Sequence, residues 1–260
     1  FPGLKIVAIT GSFGKSSTKQ FIGKLTKSLN SVVIPGNLNT EIAVSNFVLK
    51  RLPKDTKILI VEMGAYTKKE ILRITKITPP DISIVTAVDK MHLTLFKSLN
   101  NIFIAKSEII AGLKPNGKAF FCLENSNIKD FLKFLHENYP LDKRFISASN
   151  SHKSDYHYNY ISNGFTRNLA ILESNFKFNL PFEYLIPNLI LAILVADELN
   201  VSKKEIQNAL NEINQLELNI DYFENSKYKV LNDSYNSNLK GFKYAIDFSQ
   251  QVKAPKKILL

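Results

Sequence analysis

An α/β fold follows from three observations along the chain. Apolar, β-branched runs recur at Leu4 to Ile9, Ile58 to Val61, Ile82 to Val85, Ala119 to Leu123 and Phe145-Ile146. Helical patterns such as Ile102 to Leu113 and Ile128 to Leu135 separate most of them, which implies βαβ units and a parallel sheet with helices on both faces. From Ser147 to Asn179 the texture changes to short polar and aromatic pieces around Asn163-Gly164, which read as a small region of antiparallel hairpins.

The first run sets the chemistry. Ile6-Val7-Ala8-Ile9 leads through Thr10-Gly11-Ser12-Phe13-Gly14-Lys15-Ser16-Ser17-Thr18 into a helical pattern with Phe21, Ile22 and Leu25 on one face. Strand, glycine-containing turn and helix in this order form a phosphate loop. A triphosphate is held by backbone N–H groups at a helix N-terminus, and glycine lets the chain approach it closely. Gly11 and Gly14 supply that freedom, Lys15 reaches the β- and γ-phosphates, the Ser16 hydroxyl suits Mg²⁺, and Ser12 and Ser17 add hydroxyls on either side. The common Walker pattern has a glycine five residues before the Gly-Lys pair, where this chain has Ile9, so the loop is a shortened variant.

Composition narrows the class. With 260 residues, 45% of them apolar and 22% charged, the chain can bury a core of one large domain or two smaller ones. The one cysteine, Cys122, lies in the apolar run Ala119 to Leu123, which excludes an intramolecular disulfide or a CxxC metal site and points to a reducing, cytoplasmic setting. No run approaches 18 apolar residues, and Phe1-Pro2-Gly3 leads straight into a strand, so neither a membrane span nor a signal peptide is expected. The net charge of +11 is scattered over helix faces and loop ends with no basic run longer than a pair, which argues for a solvated surface around an anionic substrate and against nucleic acid.

Further along, Glu62 follows the strand Lys57 to Val61, so its carboxylate emerges at the C-terminal edge of the sheet, where open α/β folds place ligands. A hard oxygen beside Ser16 again suits Mg²⁺. His92 lies beyond the strand of Ile82 to Val88 at the same edge, whereas His136, His152 and His157 fall in helical or hairpin segments and read as structural. Asn37 follows Pro35-Gly36 as a turn former, and Asn188 begins the long apolar helix Pro187 to Leu199. Ser202 to Glu205 has the form of a capping box. Asn214 to Ser226 is polar and without period, and a domain junction is expected there. Beyond it the strand Tyr228 to Leu231, the turn Asn232 to Asn238, a helix from about Lys240 and a strand opening at Lys257 to Leu260 read as the start of a second, Rossmann-like domain that is cut short.

Several of these segments, in order and spacing, resemble the ATP-dependent Mur ligases. The matching pieces are Thr10 to Thr18, Pro35-Gly36-Asn37-Leu38-Asn39-Thr40-Glu41-Ile42, Val61-Glu62-Met63-Gly64-Ala65, His92-Leu93, Phe96-Lys97-Ser98-Leu99, Ala105-Lys106-Ser107-Glu108-Ile109, Asn188 and Asn232-Asp233-Ser234-Tyr235-Asn236-Ser237-Asn238. The Glu-Met-Gly-Ala and Asp-Ser-Tyr-Asn-Ser-Asn pieces favour the dipeptide-adding branch. The resemblance implies a central ATP-binding domain at residues 1–213 and the truncated beginning of a C-terminal domain at 214–260, with a first, UDP-sugar-binding domain absent. It also implies amide-bond formation through an acyl phosphate, with D-Ala-D-Ala joined to a UDP-MurNAc-tripeptide in peptidoglycan precursor synthesis.

By the same resemblance, ATP and Mg²⁺ are the cofactors, Lys15, His92 and Lys106 are catalytic, and Lys106 is a carbamylated lysine. Ser16, Glu62, His92 and Lys106 would surround metal, while Asn37, Asn188 and Asp233 would approach nucleotide. The partners implied are small molecules, a UDP-MurNAc-peptide and an amino acid or dipeptide, and the expected state is a monomer. Two departures stand out: Tyr184-Leu185 replace a His-Asn pair, and no arginine occurs around Leu216 to Asn219, where relatives carry Gly-Arg. They leave two rival readings open, a folylpolyglutamate or cyanophycin type ligase of the same superfamily and a non-catalytic nucleotide-binding module.

Overall fold

The computed structural model describes residues 1–260 except 37, 91–92, 140–143, 181, 214–220, 226, 233–238, 253 and 259–260, and except the side chains of 93, 221–224, 239–241, 244, 248 and 251. In chain order the elements are β1 (Lys5–Thr10), α1 (Lys15–Leu25), β2 (Ser31–Val33), α2 (Glu41–Lys50), β3 (Ile58–Glu62), α3 (Glu70–Ile77), β4 (Ile82–Val85), α4 (Leu93–Phe96), α5 (Leu99–Ala111), β5 (Lys118–Cys122) and α6 (Ile128–Asn138). There follow β6 (Phe145–Ser149), β7 (Tyr156–His157), β8 (Asn159–Asn163), β9 (Thr166–Ile171), β10 (Ser174–Asn179), α7 (Ile186–Glu198), α8 (Lys203–Asn211), β11 (Asp221–Glu224), β12 (Lys229–Asn232) and α9 (Leu239–Gln251).

Seven strands form one sheet in the order β2-β3-β1-β4-β5-β6-β7, and every pairing in it is parallel. β1 is central, flanked by β3 and β4, so the loop that leaves its C-terminal end opens where the strand order changes direction, the usual ligand position of such sheets. β1 is buried on both faces, and its side chains still alternate between two cores. Val7 and Ile9 meet Phe21 and Ile22 of α1 and the apolar run of α7. Ile6 and Ala8 meet Val44, Ile71, Ile102 and Phe131 of α2, α3, α5 and α6. The separate antiparallel sheet β10-β9-β8 turns Leu169, Ile171, Phe176 and Phe178 toward the α7 side of the same core. Burial all round explains why α7 reads as apolar without a polar stripe: ten of its thirteen residues are buried.

The sequence reading and the structure agree on the central strands to within a residue and on the hairpins around Asn163-Gly164. Ser202 and Glu205 close the expected capping box at the start of α8. Four elements lacked a clear signal. β2 has three residues, too few for a period to show. α2 carries Val44 and Phe47 inward, but Ile42 and Leu49 are 75% and 81% exposed, so its apolar residues do not form one stripe. β7 is two residues long, and β11 lies in the stretch read as an aperiodic junction, paired antiparallel with β12. Lys257 and Ile258 are exposed and carry no strand pairing, in contrast to the expected strand opening, since no described strand lies beside them to accept their backbone groups.

Candidate functional site

The turn from β1 to α1 is held open by its glycines and tied down by hydroxyls. Gly14, at φ +80°, stands in the left-handed region immediately before α1, and a Cβ there would lie 2.8 Å from Nδ2 of Asn188. Gly11 is packed as tightly: a Cβ would meet the Thr86 hydroxyl at 2.1 Å. Thr86 donates to the carbonyl of Phe13, and Thr18 donates back to the carbonyl of Gly14 across 2.8 Å. Ser12 donates to the Asp89 carbonyl at 3.0 Å and accepts from the Asp89 N–H at 2.8 Å, which fastens the loop to the segment after β4. The first turn of α1 has no acidic residue, so its free N–H groups and positive end face an anion without competition.

Lys15 folds back over this loop, donating to the carbonyls of Gly11 at 2.9 Å and Ser12 at 3.3 Å. Burial holds its ammonium below the usual lysine range; Glu62 opposes that shift and Lys19 adds to it. Ser16 donates to Oε2 of Glu62 across 3.1 Å, so the strand-end carboxylate does reach the loop as its position on β3 requires. That same oxygen also takes an ion pair from Lys19 at 3.1 Å, and Lys19 donates in addition to the Gly36 carbonyl at 2.7 Å.

Across the site α5 presents Lys106. It is 4% exposed, and burial, reinforced by the neighbouring charge of Lys15, pushes its pKa down to about 7 against the opposing pull of Glu108, Glu70 and Glu62. One cavity is lined by Gly11, Ser12 and Lys15 from the phosphate loop, Asn39 and Tyr66 from the loops after β2 and β3, and Lys106 from α5. Glu108, two residues beyond Lys106, accepts from the backbone N–H groups of Lys69 and Leu72 at the start of α3, which locks α5 against that helix. Burial raises the Glu108 carboxyl above its ordinary value, and the backbone donors and Lys106 oppose this.

Of the residues expected from sequence, Gly11, Ser12, Lys15 and Lys106 therefore share a cavity, Ser16 and Glu62 are hydrogen-bonded, and Asn188 is seated against Gly14. Asn188 is not a helix cap: α7 starts from Leu185, and the amide is buried against the phosphate loop instead. Ser17 is buried within α1. Asn37, His92 and Asp233 lie outside the described residues. Of the pair at 184–185, Tyr184 packs against Phe182 with ring centroids 5.9 Å apart and Leu185 is buried in the core, so Leu185 offers no polar contact to a base. Lys19, Asp89 and Asn39 were missed. Lys19 had one signal, its place four residues after Lys15 on the same face of α1.

The residues present fit a magnesium nucleotide. Gly11 and Gly14 lie where a Cβ would clash, Lys15 stands over the loop, and a serine hydroxyl and a carboxylate converge as hard oxygen donors. Among the described residues no cluster of three His, Cys, Asp or Glu side chains could hold a metal alone. A cation shared between Ser16, Glu62 and phosphate oxygens needs no such cage.

Comparison with known proteins gives the same picture. The sequence pattern of the Mur ligase middle domain matches residues 9–196. The UDP-N-acetylmuramoyl-tripeptide–D-alanyl-D-alanine ligase of Buchnera aphidicola subsp. Baizongia pistaciae is 30% identical over 264 residues, covering 96% of this chain and 55% of that protein. In fold, the chain superposes on MurF from Acinetobacter baumannii with a TM-score of 0.83 at 23% identity, over 97% of this chain and 55% of that one. MurF ligase from Thermotoga maritima in complex with ADP gives a TM-score of 0.78 at 22% identity, over 95% and 57%. The chain thus spans about half the length of the relatives it matches. With the middle-domain pattern running from the end of β1 to the end of α7, the chain belongs to the Mur ligase family.

Proposed function

We propose that the chain is the nucleotide-binding and catalytic core of an ATP-dependent, ADP-forming carboxylate–amine ligase that adds D-alanyl-D-alanine to a UDP-N-acetylmuramoyl-tripeptide. Residues 1–213 make up its central domain, and 214–260 begin the next. The observation that carries this reading is a cavity that the phosphate-loop lysine, Lys15, shares with the buried Lys106. The relatives' names supply the dipeptide and the tripeptide. In the reaction a substrate carboxylate attacks the γ-phosphorus of ATP, ADP leaves, and the amine of the incoming dipeptide displaces phosphate from the acyl phosphate.

The protein's task is alignment and charge neutralisation. Gly11, Gly14 and the N-terminus of α1 would cradle the phosphates, and Lys15 would leave its loop carbonyls to follow the γ-phosphoryl group. Ser16 and Glu62 would hold Mg²⁺, which when bound neutralises charge on the transferring group. Asn188 keeps the loop in register, and Asn37, His92 and Asp233 are assigned to the nucleotide and metal by resemblance alone. Lys106 would act as a carbamate: its neutral amine adds to CO₂, forming an N–C bond and releasing one proton, and the product presents two oxygens where the ammonium presented a charge of the wrong sign. A pKa near 7 supports this, because a large fraction of the amine is then neutral at cytoplasmic pH. The buried free thiol of Cys122 supports a reducing cytoplasm as the setting, and among the described residues no helix is long and apolar enough to cross a membrane. The proposed state is a monomer.

Calorimetric titration with Mg-ATP tests the reading. Native protein should bind, and Lys15→Ala should lose at least tenfold in affinity while keeping its fold. Equal affinities would sink the proposal.

A further inference from the structure

Lys19 is a buried ammonium to which the proposed reaction gives no role. It sits on α1 one turn after Lys15, it is 4% exposed, and it spends its charge on Oε2 of Glu62 at 3.1 Å and on the Gly36 carbonyl at 2.7 Å. Ser16 donates to the same Oε2. The carboxylate oxygen that faces the phosphate loop is therefore already neutralised and hydrogen-bonded. Lys15 and Lys19 both act on Glu62 at the loop.

A divalent cation that approaches this arrangement alone meets two ammonium groups and a carboxylate whose charge is in use, and in a buried setting neither effect is screened. A polyphosphate reverses the balance. Its several negative charges compensate Lys15 and Lys19 together, and Glu62 becomes available to the metal without stranding an ammonium in the interior. The tie to Gly36 adds a second consequence: the loop between β2 and α2 is held by the same ammonium and so shares its state.

We propose that Lys19 makes the Glu62 metal site dependent on nucleotide, its ammonium holding the carboxylate until a polyphosphate arrives, so that the divalent cation enters with the nucleotide and not before it. The inference rests on the reading that Ser16 and Glu62 hold the metal of a magnesium nucleotide. Lys19 is a positioning residue, since it acts through Glu62.

Metal binding without turnover tests it. Mn²⁺, followed by electron paramagnetic resonance, is titrated into the purified protein with and without adenylyl imidodiphosphate. Native protein and Lys19→Arg should bind Mn²⁺ alone at least a hundredfold more weakly than in the presence of the analogue. Lys19→Met and Lys19→Gln should gain at least tenfold in affinity for Mn²⁺ alone, and the gap between the two conditions should shrink accordingly. Lys19→Gln can still donate to Gly36, which separates the charge from the loop tie. Circular dichroism melting identifies which variants are folded, and either neutral variant suffices. If folded Lys19→Met or Lys19→Gln binds Mn²⁺ alone as weakly as native protein but still binds it with the analogue, the inference is overturned and the proposed function stands. If native protein binds no Mn²⁺ with the analogue, or Glu62→Gln binds it as well as native, the underlying reading falls and takes the inference with it.

Discussion

The side-chain amide of Asn188 fills the space that a Cβ on Gly14 would need, with Nδ2 2.8 Å and Oδ1 2.9 Å from that position. α7 is thereby built onto the phosphate loop, and this buried apolar helix fixes the height at which the loop stands. Gly14→Ala should suffer twice, through the left-handed backbone at φ +80° and through the clash. The first term is about 1–2 kcal/mol, and the second is of similar size where the neighbour cannot withdraw. Asn188→Ala should relieve the clash in the double variant and leave the backbone term. Urea unfolding of the four proteins of this cycle should show a favourable coupling of about 1 kcal/mol or more. Strict additivity would mean that the amide moves aside freely and does not set the loop.

Glu124 organises the far side of the sheet. One carboxylate oxygen accepts from Ser149 Oγ at 2.6 Å, Asn150 N at 3.1 Å and Ser151 Oγ at 3.3 Å, and the other from Tyr158 Oη at 3.1 Å. Burial alone would raise this carboxyl, but the donors outweigh it and hold it below the usual carboxylate range. A depressed folded-state pKa contributes stability that is present above the unfolded value of about 4.3 and is lost as pH falls through the folded value. Glu124→Gln should therefore cost about 1–3 kcal/mol at pH 7. The difference from native should narrow below pH 4 in a series of chemical denaturations, and a gap that stays constant would contradict the assignment.

How far the site could be read from sequence depended on whether function is written locally. Gly11 to Ser17 is contiguous, and the physics of a phosphate loop needs those residues at that spacing, so it was legible. Glu62 was legible because a strand's last residue must emerge at the sheet edge. Lys106 had no local signal: on α5 it is one lysine in an apolar helix, and only the packing of α5 against α3 and the phosphate loop buries it beside Lys15. Lys19 was hidden for the opposite reason, since a lysine on the first helix reads as solvated until β3 and the Gly36 loop close over it. In the fold, the elements that escaped were those whose pairing, not their own pattern, makes them regular, as with β2 and β11.

The turn between β9 and β10 is a second case that sequence does not announce. Leu172 and Glu173 both adopt φ +55°, the backbone of a two-residue hairpin turn that ordinarily selects Asn and Gly. Leu172 packs against the core and repays its strain in part, but Glu173 is a surface position with no such return. Glu173→Gly should raise stability by about 1 kcal/mol, since the relief of the left-handed penalty exceeds the extra entropy of an unfolded glycine. A lower melting temperature for the variant would show that the carboxylate makes a compensating contact.

Lys106 gives the sharpest dependence on pH. Its ordinary pKa of 10.5 falls to about 7 in the folded chain, with burial as the main cause and Lys15 as the second. A lysine depressed in this way binds a proton in the unfolded state and not in the folded one between those two values, so native stability rises with pH from about 7 towards 10.5. Below pH 7 both states are protonated, and the full cost of the buried ammonium is present. Lys106→Met removes that cost and should be more stable than native at pH 6, with an advantage that shrinks by roughly 2–4 kcal/mol by pH 10. The comparison needs CO₂-depleted buffer, because a carbamate would remove the ammonium by another route. Restoring ¹³C-labelled CO₂ should then produce a lysine carbamate resonance in native protein that strengthens as pH rises through 7, where the neutral amine is populated, and that is absent from Lys106→Met. An advantage for the variant that is the same at pH 6 and pH 10 would show that Lys106 keeps an ordinary pKa, and with it the basis for a carbamate at this position would be lost.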